Sequence, residues 1–225
     1  MSIIKKKLKK SSKKWVLRQV KDDYVKLSKK QGYRSRAAFK LIQMHEKYKI
    51  FKKGDKVLDL GSSPGSWLQV AKSFVYNKKY CINKTKLYNR LVGVDILNMQ
   101  KIEGVTFLQK DCKDADLVDN IFSISGIENF DIMLSDMSPN TTGFKHVDHL
   151  SCINLSKIVF KLAKSNLLVN KGYLIMKLFQ GVEVDDFLRQ IKRFFVRVDC
   201  FKPEASRKDS KEFYIIANCK KFSDK

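Results

Sequence analysis

Short apolar runs alternate with amphipathic segments along most of the chain. An apolar run bounded by turn residues predicts a buried strand, and a 3.6-residue apolar period predicts a helix. The pattern predicts seven strands, at 56–60, 91–95, 105–111, 130–136, 172–178, 195–201 and 212–218. It predicts helices near 35–48, 66–76, 114–124, 148–168 and 184–194.

The order of these elements predicts the fold class. Strands that alternate with helices form a largely parallel sheet through right-handed crossovers, with helices on both faces. The last two strands are joined by about ten residues that show no helical period, so we expect them to pair antiparallel. The pattern therefore favours an α/β, Rossmann-like domain with a mostly parallel seven-stranded sheet and an antiparallel last strand.

Two segments do not fit this alternation. The stretch from Ser2 to Lys21 has no acidic residue but holds eight lysines and one arginine, which is typical of a basic arm or the remainder of an organelle presequence. Residues 76–90 are rich in Lys, Asn and Tyr without an apolar period, and they indicate a surface insertion. We expect a basic arm over 1–33 and one domain over 34–225.

Charge indicates the kind of partner. The chain has 46 Lys+Arg against 23 Asp+Glu, a formal net charge of +23. An excess of this size favours a polyanion, and nucleic acid is favoured over a membrane surface. The five cysteines include no CxxC pair, which argues against a structural zinc site or a disulfide framework and for a reducing compartment. We expect no metal and no membrane span.

Carboxylates follow the first four predicted strands, namely Asp59, Asp95, Asp111 and Asp136. Ligands of doubly wound sheets bind at this edge. The first turn, GSSPGSW at 61–67, is not the GxGxxG of dinucleotide folds, and its acidic surroundings would repel a diphosphate. They suit S-adenosylmethionine, which carries a positive sulfonium. Asp95 would accept hydrogen bonds from its ribose hydroxyls, and Asp111 would accept one from its adenine amine. The alternative is that these carboxylates are helix caps and turn residues.

Lys177 lies inside the apolar run GYLIMKLFQG, residues 172–181. A buried ammonium must be paired or lose its proton, unless the side chain extends to the sheet edge and stays hydrated. A lysine that loses its proton can serve as a general base.

The ordered set of motifs resembles the FtsJ/RrmJ-like RNA ribose 2′-O-methyltransferases, which are class I S-adenosylmethionine-dependent methyltransferases. The stretches that carry the resemblance are RSRAAFKL (34–41), KVLDLGSSPGSW (56–67), GVD (93–95), FLQKD (107–111), LSDMSPN (134–140), GYLIMKLFQG (172–181) and SRKDSKEFYIIA (206–217). WVLRQVKDDYVKLSKKQGYRSRAAFKL is most similar to the branch that acts on a uridine of large-subunit ribosomal RNA. The insertion at 76–90 and Ser66, where the family often has glycine, are departures that do not touch the chemistry.

The resemblance implies a role for particular residues. A catalytic tetrad falls on Lys40, Asp136, Lys177 and Glu212, with Lys177 as the base or the group that orients the hydroxyl. The alternative for Lys40 and Glu212 is an ordinary ion pair. Cofactor contacts are expected at Gly61, Pro64, Gly65, Trp67, Asp95, Asp111 and Asp136. RNA contacts are expected from the arm at 5–21 and from Arg34, Arg36, Lys40 and Arg207.

The implied partner is ribosomal RNA or the large ribosomal subunit, and the implied enzyme is a monomer. Its expected location is intracellular: mitochondrial or in another organelle in a eukaryote, with a nucleolar location open, and otherwise cytoplasmic. Alternatives are a tRNA or mRNA-cap 2′-O-methyltransferase and a non-catalytic ribosome-assembly factor that binds RNA. The acidic edge and the missing GxGxxG disfavour a nucleotide-binding oxidoreductase.

Overall fold

In this computed structural model, residues 19–76, 90–139 and 145–221 are described. The strands are β1 (Val57–Leu60), β2 (Leu91–Asp95), β3 (Val105–Gln109), β4 (Phe130–Ser135), β5 (Leu168–Phe179), β6 (Phe195–Phe201) and β7 (Glu212–Lys220). The helices are α1 (Asp23–Gln31), α2 (Ala38–Tyr48), α3 (Ser66–Val75), α4 (Leu117–Ser125), α5 (Lys145–Lys164) and α6 (Val184–Phe194). All seven predicted strands and all five predicted helices are confirmed as elements.

The strands form one sheet in the order β3-β2-β1-β4-β5-β7-β6. The pairs among the first five strands in that order are parallel, and β7 is antiparallel to both β5 and β6. The predicted fold class is therefore confirmed. Strand order reverses between β1 and β4, and in such sheets the crevice at this reversal is where ligands bind.

Each face of the sheet is covered by its own apolar core. One core holds Trp67 of α3 and Leu41 of α2, and the other holds Phe160 of α5 and Phe187 of α6. Alternate residues of β5 point to opposite faces, so Ile175 belongs to the α2–α3 side, while its neighbours Leu174 and Met176 belong to the other. Lys177 has the same parity as Ile175 and so faces α2 and α3.

Several element boundaries differ from the sequence prediction. Helix α2 begins at Ala38 rather than near 35, since the preceding residues form a turn in which the Ala37 N–H donates to Ser35 Oγ at 3.2 Å. Helix α5 ends at Lys164 rather than 168, because Leu168 opens β5 and pairs with Phe130. Strand β3 ends at Gln109 rather than continuing to 111.

Helix α1 lies within the stretch that the sequence assigned to a basic arm. Asp22 caps it by accepting from the N–H groups of Tyr24 and Val25, and Gly32 ends it in the left-handed conformation. Residues 1–18 and most of the predicted insertion, 77–89, lie outside the described part of the chain. The limits of the arm and of the domain stay a prediction.

In these described residues, no helix is long and apolar enough to cross a membrane. Over the same three ranges, no group of His, Cys, Asp or Glu side chains is arranged to hold a metal ion.

Candidate active site

Four separate elements bring the predicted tetrad together. Lys40 is the third residue of α2, Asp136 directly follows β4, Lys177 lies near the end of β5, and Glu212 begins β7. Both lysine side chains and Glu212 are at most 10% exposed, and Asp136 is 20% exposed. The two lysines and two carboxylates therefore share one largely dehydrated site at the carboxyl edge of the sheet.

Ion pairs connect all four charged groups. Lys40 Nζ lies 2.8 Å from Glu212 Oε1 and 3.9 Å from Asp136 Oδ2. Lys177 Nζ lies 3.1 Å from Asp136 Oδ1 and also donates to the Asp136 main-chain oxygen at 2.6 Å. Two cations and two anions balance, which is the condition for burying charge without a large loss of stability.

Tyr214 is a member of this cluster that the sequence reasoning missed. Its hydroxyl donates to Asp136 Oδ1 at 2.7 Å and accepts from Lys40 Nζ at 2.9 Å, so it connects two tetrad members. One feature of the sequence could have found it, since Tyr214 is two residues beyond Glu212 and therefore on the same face of β7. The structure adds the antiparallel register, which places Tyr214 opposite Lys177.

Electrostatics fix the protonation of two of these groups. Burial alone would raise the pKa of Asp136, but the charges of Lys177 and Lys40, with hydrogen bonds from Tyr214 and Lys177, together hold that pKa below its ordinary value. Burial raises the pKa of Tyr214 well above its ordinary value, and the charges of Asp136 and Glu212 add to the rise. Asp136 is thus an anion, and the Tyr214 phenol keeps its proton and donates it.

The next two strand-end carboxylates lie beside the first turn. Asp95 Oδ2 accepts from the Ser63 N–H and its Oδ1 from the Leu97 N–H, both at 2.8 Å. Asp111 Oδ1 accepts from the Lys113 N–H at 3.0 Å. A hydrogen bond from the N–H group two residues further along the chain is typical of an aspartate in a turn. Asp95 and Asp111 therefore do act as turn residues, as the alternative interpretation of these carboxylates expected. Each carboxylate keeps further lone pairs that could accept from a ligand.

Two glycines shape the turn between β1 and α3. Gly61 has φ of 78°, and a Cβ there would overlap the side chain of Met137. Gly65 has φ of 105°, and a Cβ there would lie 2.7 Å from Ile102 Cδ1 and 2.8 Å from Met99 Sδ. A side chain is excluded at both positions, so the turn can pack closely against these neighbouring residues.

Asp59 lies in β1, the strand that leads into this turn. It is 1% exposed, and among the described residues its Oδ2 has no hydrogen-bond partner. Burial raises the pKa of Asp59 well above its ordinary value, with the charges of Asp136 and Asp95 adding to the effect. An unpartnered polar atom inside an acidic pocket suits a ligand that brings a cation or a donor.

The other predicted cofactor residues flank the turn. The Ser63–Pro64 peptide bond is cis. Trp67 is 3% exposed, its Nε1 donates to the Ala37 oxygen at 2.8 Å, and its ring centroid lies 5.8 Å from that of Tyr214. Trp67 therefore connects the turn to the tetrad through a buried aromatic contact.

The predicted RNA contacts fall in two places. Arg36, Lys40 and Arg207 line an open cleft of about 480 Å³ that Glu212 also borders, so this cleft leads directly to the tetrad. Arg34 is on the other side, where its guanidinium donates to the main-chain oxygens of the first turn and of the segment after β2. Of the predicted arm at 5–21, residues 5–18 lie outside the described part of the chain.

Comparison with known proteins gives the same family over nearly the whole chain. The sequence profile of the FtsJ-like methyltransferases matches residues 33–220. Ribosomal RNA large subunit methyltransferase E of Ehrlichia chaffeensis is 45% identical over 211 residues, 92% of each chain, and the protein of that name from Acidiphilium cryptum is 42% identical over 94% of this chain and 88% of that one. A ribosomal RNA methyltransferase structure from Plasmodium falciparum superposes with a TM-score of 0.70 at 28% identity, over 84% of this chain and 98% of that one. Sequence and fold agree.

Proposed function

The chain belongs to the FtsJ-like methyltransferase family, and from that premise we propose that it methylates a ribose 2′-hydroxyl of large-subunit ribosomal RNA with S-adenosylmethionine as donor. The observation that carries the proposal is the buried cluster in which Lys177 Nζ and Lys40 Nζ both lie within 4 Å of the Asp136 carboxylate. The family resemblance extends the proposal to a uridine. We further propose that the enzyme is a monomer and that it acts in a compartment that contains ribosomes.

The residues at the acidic edge fit the proposed cofactor. Asp95 and Asp111 keep acceptor capacity for hydroxyl and amine donors, the unpartnered Asp59 Oδ2 can accept from a further donor, and the Asp136 anion places negative charge where a cationic centre would be stabilised. Gly61, Pro64, Gly65 and Trp67 complete the set proposed to hold it. When bound, S-adenosylmethionine supplies an electrophilic methyl group on a sulfonium.

The tetrad supports the remaining chemistry. A ribose hydroxyl is a poor nucleophile, so it must be aligned and its proton must leave as the new oxygen–carbon bond forms. We propose that Lys177 Nζ accepts this proton, because that amine is buried and is fixed by two contacts to Asp136. Because Lys177 is paired with Asp136 as an ammonium, that ammonium must first release a proton to solvent, and a cationic centre beside it favours this release. The neutral amine can then take the hydroxyl proton.

The other cluster members position this amine. Asp136 is an anion that contacts Lys177, Lys40 and Tyr214 at once, so it sets the direction of the Lys177 amine. The pair of Lys40 with Glu212 closes the cluster on the side of the cleft. From that position Lys40 can also contact the RNA backbone that carries the reacting ribose.

Methyl transfer to defined RNAs tests the proposal. Wild type, Lys177→Ala and a control, Lys171→Ala, are incubated with labelled S-adenosylmethionine and either large ribosomal subunits or bulk tRNA. Lys171 is an exposed residue of the same strand, so its replacement removes a lysine without touching the cluster.

We expect label in large-subunit RNA with wild type and Lys171→Ala, and a fall of at least about a hundredfold with Lys177→Ala, since a positioned base typically contributes that much. Cofactor binding by Lys177→Ala should persist. Label in tRNA would move the substrate to another branch of the family. An unaffected Lys177→Ala variant would remove the assigned base, and no transfer to either RNA would favour an RNA-binding assembly factor.

A further inference from the structure

The Arg34 guanidinium connects two loops at the cofactor edge. Its Nη1 donates to the Pro64 oxygen at 2.9 Å and to the Gln100 oxygen at 2.7 Å, and its Nη2 donates to the Lys101 oxygen at 3.0 Å. Pro64 lies in the turn between β1 and α3, while Gln100 and Lys101 lie between β2 and β3. One side chain therefore holds both loops through three main-chain acceptors.

The segment that carries Arg34 is itself fixed to α3. The Arg34 N–H donates to Gln69 Oε1 at 2.9 Å, and Gln69 Nε2 donates to the Gly32 oxygen at 3.0 Å. Ser35 Oγ and Ser66 Oγ form a hydrogen bond of 2.7 Å. We call residues 32–37 the strap. Several hydrogen bonds fix the main chain of the strap to α3. The Arg34 side chain therefore starts from a fixed position and extends in a fixed direction.

Two groups hold adjacent residues of the turn. Asp95 accepts the Ser63 N–H, while Arg34 donates to the oxygen of the next residue, Pro64. Arg34 Nη1 also packs at Gly65, where a Cβ would come within 3.0 Å of it. The guanidinium thus occupies the space behind the turn and leaves its other side for a ligand.

Arg36 takes the opposite direction on the same strap. Its Nη2 donates to the Ala205 oxygen at 2.7 Å and its Nε lies 3.1 Å from Asp22 Oδ2, in the wall of the cleft that leads to the tetrad. Two arginines two positions apart in RSR thus serve different sites. Sequence alone gives them the same appearance, which is why both were expected to contact RNA.

We propose that Arg34 is a positioning residue for the cofactor turn and not an RNA contact. This inference rests on the proposed function for the identity of the ligand. The planar guanidinium gives this geometry, because Nη1 donates to both loops while Nη2 donates to a second acceptor of the loop between β2 and β3. A lysine donates from a single nitrogen, so it cannot make all three bonds in the same geometry.

The experiment compares Arg34→Gln, Arg34→Lys and the control Arg193→Gln, which removes an exposed arginine from the last turn of α6. Three readouts are taken. Amide hydrogen exchange of the ligand-free protein follows peptides covering 61–66 and 98–102. Calorimetric titration with S-adenosylhomocysteine gives cofactor-site affinity, and binding of purified large-subunit RNA is measured at several salt concentrations.

For Arg34→Gln we expect faster exchange in both loops together and a cofactor-site Kd raised by about tenfold or more, since hydrogen bonds from a charged donor are lost. RNA affinity and its salt dependence should match Arg193→Gln. Arg34→Lys should recover part of the cofactor-site affinity. This partial rescue, with unchanged thermal unfolding, separates positioning from general loss of structure.

The contrary result is equally distinct. Unchanged exchange and unchanged cofactor-site affinity, together with weaker RNA binding and a salt slope reduced by about one, would make Arg34 a phosphate contact and overturn the proposal. The exchange measurement needs neither cofactor nor RNA. If wild type bound no S-adenosylhomocysteine, the proposed function would fail, while coupled exchange of the two loops would still decide the role of Arg34.

Discussion

Tyr214 contributes an uncharged hydroxyl to a cluster of two lysines and two carboxylates. It donates to Asp136 and accepts from Lys40, so it fixes the positions of these two charged groups relative to each other. Its ring packs against Trp67 and is fully buried, independently of the hydroxyl. The ring therefore serves packing, and the hydroxyl serves the alignment of the cluster.

Tyr214→Phe separates these two contributions. We expect methyl transfer to fall by about ten- to hundredfold, because a hydrogen bond to a charged group is worth about 1.5–3 kcal/mol. Thermal unfolding should change little, since the ring is retained. The matched control is Tyr48→Phe, in which the phenol lies at the end of α2 away from the cluster. Equal activity of the two variants would show that the Tyr214 hydroxyl plays no part in alignment.

Asp59 is a second residue whose environment predicts a measurement. Its raised pKa means that folding favours the protonated carboxyl. The stability associated with Asp59 is therefore fully present below the ordinary carboxyl pKa and is lost as pH rises towards the folded-state value. Asparagine has nearly the same shape and stays neutral, so Asp59→Asn lacks this loss.

We expect the free energy of unfolding of Asp59→Asn, relative to wild type, to increase as pH rises above the ordinary carboxyl pKa of about 4. Urea unfolding at several pH values measures the difference. Asp119→Asn, which removes an exposed carboxylate of α4, controls for the general effect of one acidic group fewer. A difference that is constant with pH, or that decreases, would contradict a neutral Asp59 in the folded protein.

At the scale of elements, the sequence predicted what depends on local pattern. The periods of apolar residues predicted every strand and five helices, and the motif order placed Lys40, Asp136, Lys177 and Glu212 in one cluster. Helix α1 was missed because few of its residues are apolar, although Asp22 and Gly32 are regular cap residues. The contacts of Arg34 could not be predicted, because they join loops about 30 and 66 residues away along the chain.

The connection from β5 to α6 makes another contact with a residue far away along the chain. Gly181 lies directly against the buried ring of His149 on α5, where a Cβ would overlap the imidazole. His149 Nε2 lies 2.5 Å from Glu183 Oε2, so the same ring is held by the start of α6. The histidine thus packs α5 against the connection that follows the strand of Lys177.

Gly181→Ala tests this packing. We expect a loss of about 1–3 kcal/mol in the free energy of unfolding, as is usual for an added methyl in a filled site. His149→Ala removes the ring, so the double variant should lose less than the sum of the two single variants. Urea unfolding of all four proteins completes the cycle. Strictly additive losses would mean that the two positions do not contact each other in solution.

At the scale of the whole molecule, a chain with a net charge of +23 carries carboxylates at the two surfaces proposed to bind cofactor and RNA. The cofactor edge is acidic, whereas the cleft beside the tetrad has arginines and a lysine in its wall. Asp22 does not line the cleft itself but contacts two arginines that do. Its Oδ2 lies 3.1 Å from Arg36 Nε and 3.7 Å from Arg207 Nε, and all three side chains are mostly buried.

Asp22 and Arg207 therefore predict opposite changes in RNA binding. Arg207→Gln removes a cation from the cleft, so affinity for large-subunit RNA should fall and the slope of log affinity against log salt should become shallower by about one. Asp22→Asn keeps a good helix cap for α1 but removes the charge that offsets both arginines. Its affinity at low salt should rise.

Titration of labelled large-subunit RNA at several salt concentrations measures both variants against wild type. Lys29→Gln, on the exposed end of α1, provides the control for the loss of one positive charge outside the cleft. Arg207→Gln should differ from this control, because a phosphate held in a partly buried cleft is screened less by salt than one at the open surface. If Arg207→Gln and Lys29→Gln weakened RNA binding by the same small factor, binding would depend on the total charge of the protein. The RNA backbone would then not lie in the cleft.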